Sequence, residues 1–223
     1  WTRSSEQKRS SKEHSMSSIV LMPNLPLALP ERQIRSRLGH AAETTRLEPE
    51  QAAFLQEKMR LAFALVKAQG LYRCLDILSN DGESLLLAEQ SRIYSRDLAK
   101  MLRDSQQVWL AAVSIGPSLG EQSAELFAQG QAAAAAVYDA VGSECADASM
   151  DFLQEYAGTQ LRRSARSLSK FRFSPGYGDW SLEAQKDFFT WLKPESIGLQ
   201  LSDKLLLLPE KSVTALAAIR TLD

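Results

Sequence analysis

RFSPGYGDW (Arg172–Trp180) packs more constraint into a few residues than any other stretch of the chain. Pro175-Gly176 is a turn signal, because proline presets φ for the first turn position and glycine tolerates the second. Gly176 and Gly178 lack a Cβ, so the backbone there can approach a ligand closely with its amides free to donate. Arg172 offers a planar fork that suits a carboxylate. Tyr177 and Trp180 present π faces that stack on a purine or pack against a sulfonium. Read from residue types alone, two accounts stand side by side. One is a site for a zwitterionic, adenine-bearing ligand. The other is a rigid surface turn stapled by aromatic side chains.

Working outward, Lys170–Phe173 is predicted as a short strand leading into the turn. Ser181 caps a helix that runs to Leu192. Leu199–Leu201 and Leu205–Leu208 are short apolar segments, and Ser212–Ile219 is a final strand. Upstream, Leu119 to about Ser167 reads as almost continuous helix. The alanines Ala132–Ala136 have the best helix propensity available, with Gly130 and Gly142 as potential interruptions. Val137, Val141, Cys145, Ala148 and Phe152 follow three- and four-residue spacing and are expected to face the core. Val108–Ile115 is a continuous apolar run, hence a buried strand. Ser95 caps a helix to about Arg103. Leu71–Leu78, the Asn80-Asp81-Gly82 turn and Ser84–Leu87 read as a strand pair. Pro49–Gln69 is a long helix and Glu31–Leu38 a short one. Ser18–Pro30, with its phrase PNLPLALP, is extended lead-in. Residues 1–17 are polar and read as a disordered tail or a vector-derived remnant ahead of one domain over 18–223. Strands and helices do not alternate regularly, which predicts an α+β fold: a mixed, mostly antiparallel sheet with long flanking helices.

The composition narrows the chemistry. The 223 residues carry 26 Lys and Arg against 27 Asp and Glu, a net charge of −1. That balance provides no footprint for nucleic acid. Two histidines and two cysteines are too few for a zinc centre or a histidine-based triad, so no metal site is expected. Cys74 and Cys145 lie in apolar, patterned stretches and read as buried thiols. No apolar run is long enough to span a membrane, and cytoplasm is the expected compartment. A G-x-G-x-x-G turn and a P-loop are missing, as is the D-x-H-x-x-G pattern by which many corrinoid proteins present histidine to cobalt. Binding, rather than side-chain catalysis, is the expected business of the chain.

The spacing Arg-x-x-x-Gly-Tyr, met as Arg172–Tyr177, resembles the S-adenosylmethionine-binding motif of the activation domain of cobalamin-dependent methionine synthase. The flanks are similar too: DFLQEYA (151–157) before it, LEAQKDFFTWL (182–192) and IGLQLSDKLLLLPEKSVTAL (197–216) after it. The resemblance covers roughly Gly130 to Ile219. It implies that Arg172 holds the ligand's carboxylate and that Ser174 and Gly176 supply close backbone contacts. Tyr177 would cover the ligand, and Asp151 on the long helix would face its ammonium group or ribose. Two positions depart from the family pattern. An acidic contact from an Asp-Trp-Thr-Pro context has no counterpart, and Phe173 stands where the methionine synthase form has proline.

The same resemblance implies a function. S-adenosylmethionine would be presented to cob(II)alamin carried by a separate methionine synthase or corrinoid protein. A flavodoxin-like donor would supply the electron, making the chain part of a methyltransferase system for methionine biosynthesis. Small residues at Gly176 and Gly178 would leave room for the corrin face. Alternatives are a non-catalytic S-adenosylmethionine sensor or interaction module on the same fold, or a divergent binder of another small molecule. Glu144, Asp147, Asp151 and Glu155 share one helix face by their 3-4-4 spacing. They read either as a solvated face or as the lining of a groove for a cation.

Overall fold

The computed structural model describes residues 18–41 and 45–222; the tail expected over 1–17 lies outside the described residues. In chain order the elements are β1 (Val20–Met22), α1 (Glu31–Arg37), α2 (Pro49–Phe63), β2 (Gln69–Asn80), β3 (Ser84–Leu87), β4 (Arg92–Tyr94) and α3 (Arg96–Met101). There follow β5 (Gln107–Ser114), α4 (Ser118–Ala128), α5 (Ala132–Arg162), β6 (Arg166–Phe173), α6 (Gln185–Leu192), β7 (Gln200–Leu201), β8 (Leu207–Leu208) and β9 (Ser212–Thr221). Seven strands form one sheet in the order β4-β3-β2-β5-β9-β6, with β1 alongside the first part of β2. Every pairing is antiparallel. β7 and β8 make a separate small hairpin.

Both faces of the sheet are covered, which is why β5 reads as an unbroken apolar run. Its residues alternate: Trp109, Ala111 and Val113 join a core with α2 and α5. Val108, Leu110 and Ala112 join a second core with α3 and α6. β9 divides in the same way, Ala215, Ala217 and Ile219 to the first and Leu216 and Ala218 to the second. An antiparallel sheet usually leaves one face to water; here each fully buried Val, Leu or Ile on either face adds about 1.5–3 kcal/mol, and each alanine less.

The helical stretch expected from Leu119 to Ser167 divides at Gly130, whose φ of +76° favours glycine. Gly142 does not interrupt α5. It is a packing site, since a Cβ there would lie 2.8 Å from Leu119 Cδ2 of α4. α5 is 31 residues long, about 46 Å of helix. Val137, Val141 and Cys145 face the core as expected, while Ala148 and Phe152 are only half-buried and Met150, Leu153 and Ala157 carry the core onward. α2 stops at Phe63 rather than at Gln69, and Gln69 already begins β2. β4 was not expected; three residues ending in an exposed Tyr94 give little pattern to read.

Candidate functional site

β6 is an edge strand with a bulge, and the bulge decides where Arg172 points. Leu168 pairs with Ile219 and Arg172 with Ala217. Four residue steps on β6 thus oppose two on β9. The surplus is even, so the alternation of side chains is preserved. Arg172 therefore emerges on the α5 face, as Leu168 does, and Phe173 on the opposite one. Arg172 Nη1 donates to Asp151 Oδ1 and to Gln154 Oε1, both at 2.6 Å. Its Nε and Nη2 have no protein acceptor among the described residues. The side chain is only 26% exposed.

Two grooves meet at Arg172. The first, about 510 Å³, runs between α5 and β6 and is lined by Asp151, Gln154, Glu155, Arg162, Lys170 and others. The second, about 390 Å³, is lined by Asp147, Arg172, Ser174, Tyr177, Val213 and Ala215, with Phe171 and Phe173. The structure thus gathers Arg172, Ser174 and Tyr177 around the second groove. Asp151 lies on the first, bound to Arg172. Asp147, one helical turn earlier in the same acidic stripe, is the carboxylate that lines the second.

The stripe is not simply a solvated face. Glu144 receives Arg37 Nε, and Arg37 Nη2 stands 3.6 Å from Asp147. Burial, and then the neighbouring Glu144 charge, raises the Asp147 carboxyl above the ordinary range. Arg37 also keeps its proton more firmly than usual, chiefly through its bond to Glu144. The groove therefore combines a half-buried guanidinium with a carboxylate whose burial and Glu144 neighbour are offset only in part by Arg37 and Arg172. A zwitterion with separated charges complements such a pair.

The turn after β6 is a built structure. Ser174 Oγ donates to Thr214 O of β9 at 2.7 Å. Tyr177 N donates to Ser174 O, Trp180 N to Tyr177 O, and Gly176 N to Trp180 O. The Gly176 amide is therefore taken up within the turn and is not free to donate to a ligand. Trp180 is 3% exposed and packs between Phe173 and Phe188 in the second core. It is a structural anchor and offers no stacking face. Tyr177, by contrast, is 69% exposed beside the groove. Gly178 has φ +54°, and a Cβ there would lie 2.5 Å from Asp97 Oδ2 and 3.0 Å from Phe173 Cζ. Its small size serves packing against α3. So the turn is both of the things its residues suggested: a stapled turn that carries one loose aromatic ring.

Among the described residues no group of His, Cys, Asp and Glu could hold a metal ion, and no helix is long and apolar enough to cross a membrane. No protein-family model matches the chain, and no curated protein matches it. A crystal structure of the MetH reactivation domain bound to AdoHcy does match. Its TM-score is 0.62 at 13% identity, covering 90% of this chain and 77% of that one. The likeness is one of fold: this chain has the mixed α/β, mostly antiparallel architecture of that reactivation domain, as the Arg172–Tyr177 motif implied.

Proposed function

We propose that the chain binds S-adenosylmethionine in the groove between α5 and the Tyr177 turn. The observation that carries this is the meeting of Arg172, Asp147, Ser174 and Tyr177 on one groove, in the fold of a domain solved with AdoHcy. The residues suit the ligand. The open edge of the Arg172 guanidinium takes the carboxylate in a fork. Asp147 faces the ammonium or the sulfonium, whereas the resemblance set Asp151 against the ammonium group or ribose. Asp151 and Gln154 instead hold the Arg172 head in place. Ser174 fixes the groove floor through Thr214, and the Tyr177 ring closes over the ligand. Gly176 acts by shaping the turn.

The function that follows is accessory to a cobalamin-carrying methionine synthase or corrinoid protein. Cobalamin on that partner would supply the methyl acceptor, reduced by one electron from a flavodoxin-like donor, and the ligand would be left as AdoHcy with the sulfur keeping its bonding pair. This chain contributes binding and orientation: it fixes the carboxylate end, balances the cationic end and leaves the groove open on one side.

Calorimetric titration with S-adenosylmethionine and with AdoHcy tests the binding step. Saturable heat with a thermal shift is expected; neither, up to millimolar ligand, overturns the reading. Adding the chain, S-adenosylmethionine and a low-potential reductant to a cob(II)alamin-inactivated partner tests the second step by the return of the methylcobalamin spectrum. Tight binding without reactivation of any such partner would favour a sensor on the same fold.

A further inference from the structure

Asp179 has no place in the binding motif, yet three donors from another part of the fold converge on it. Ser95 Oγ donates to its Oδ1, Arg96 N to its Oδ2 at 2.7 Å, and Asp97 N to its Oδ1 at 3.4 Å. Ser95 Oγ in turn accepts from Leu98 N at 3.0 Å. The first three amides of α3 are thereby satisfied, two by a carboxylate more than eighty residues away in sequence and one by the helix's own cap. These bonds hold the Asp179 carboxyl below its ordinary range, the Ser95 hydroxyl contributing most.

We propose that Asp179 is a positioning residue for the ligand groove: it latches the 174–180 turn to α3 and so sets Tyr177 on the groove. The inference rests on the binding reading above. Three tethers hold the turn. Ser174 ties its start to β9, Trp180 ties its end to the second core, and Asp179 ties the segment between Tyr177 and Trp180 to α3. Gly178 lies against Asp97 and Phe173 in the same contact, so the backbone there is seated on the first turn of α3. Tyr177 is the one side chain of the turn that stands in solvent beside the groove. Its placement depends on the backbone that follows it, because its own carbonyl accepts from Trp180 N. Releasing Asp179 leaves the ends of the turn tethered and frees its middle.

A double-mutant cycle separates positioning from general stability. Affinity for S-adenosylmethionine is measured for the wild-type chain, D179A, Y177A and the double variant, with amide exchange followed across the turn. D179A is expected to weaken binding by several-fold to about tenfold and to speed exchange at Gly176, Tyr177 and Trp180. D179N, which keeps one acceptor, should recover part of both. The double variant should bind no more weakly than Y177A. Independent, additive losses, or turn amides unchanged in D179A, would overturn the latch while leaving the binding reading intact. A wild-type chain that binds no ligand overturns that reading and the latch's role in binding with it; faster exchange in D179A would then mark Asp179 as a structural tether only.

Discussion

Asp147 lines the Arg172 groove from α5, and Asp179 holds the turn that forms its other side; their surroundings push them in opposite directions. Asp179 gathers a hydroxyl and backbone amides, which favour its ionised form. Its contribution to stability is present above the unfolded carboxylate pKa and is lost as pH falls through its own lower value. Asp147 is raised by burial and by Glu144. Its contribution is present below the unfolded pKa and is lost as pH rises through the raised value, so at neutral pH it opposes folding. The difference teaches which wall is architecture and which the proposed site leaves to the ligand. The turn wall has its charges satisfied from within. The α5 wall keeps a carboxylate that Arg37 and Arg172 offset only in part, and in the proposed site a cationic ligand would add to them.

The largest test removes the anchor of the turn wall. Trp180→Ala should lower stability by about 3–5 kcal/mol, the usual cost of truncating a buried aromatic, read from urea unfolding. A loss below about 1 kcal/mol would show that the turn is not held by the core. On the receptive side, Arg172→Ala should weaken S-adenosylmethionine binding by about 1.5–3 kcal/mol. Arg163→Ala, at an exposed helix end where the Arg163 guanidinium donates to Gln160 Oε1, should cost tenths at most. Equal effects in calorimetry would misplace the ligand's carboxylate. Gly178→Ala should cost about 1–2 kcal/mol from its left-handed backbone, with crowding against Phe173 added. A bulky residue there therefore disturbs the turn itself and does not isolate the approach of a corrin-bearing partner. A neutral effect in thermal unfolding would return Gly178 to that simpler role.

The sequence carried the elements whose information is local. Alternating or continuous apolar runs located β2, β5 and β9, Ser95 announced the start of α3, and Pro175-Gly176 announced the turn. The motif spacing brought Arg172, Ser174 and Tyr177 to one place, and the structure keeps them there. What stayed hidden depends on partners distant in the chain. Asp151 and Asp147 occupy the same helix face, and only the path of β6 decides that Arg172 takes the first and leaves the second to the groove. Trp180 read as a stacking surface because an aromatic next to glycines looks exposed; the second core that swallows it is assembled from α3, α6 and β9. Asp179 carried no signal, because a carboxylate that caps a helix from afar leaves no spacing to find.

The smallest expected effect is also the one that distinguishes the two walls most directly. Asp147→Asn removes a charge that the fold disfavours while keeping the shape of the side chain. At neutral pH the variant should be slightly more stable than the wild-type chain. The gain should shrink as pH falls through the carboxylate range, because the wild-type Asp147 then takes up its proton and the two chains become alike. Solvent screens much of the effect, since the side chain is 56% exposed; thermal midpoints measured in parallel from neutral to mildly acid pH are therefore the suitable readout. Asp179→Asn should show the reverse sign over the same interval, losing stability at neutral pH and converging with the wild type only in stronger acid. The gain in Asp147→Asn should come with weaker S-adenosylmethionine binding, because the proposed site sets the carboxylate that opposes folding against the cation. A variant that gains stability and binds as well as the wild-type chain would move the ligand's positive end away from Asp147 and back toward Asp151. A variant that loses stability at neutral pH would mean that Arg37, at 3.6 Å, already balances Asp147 without a ligand.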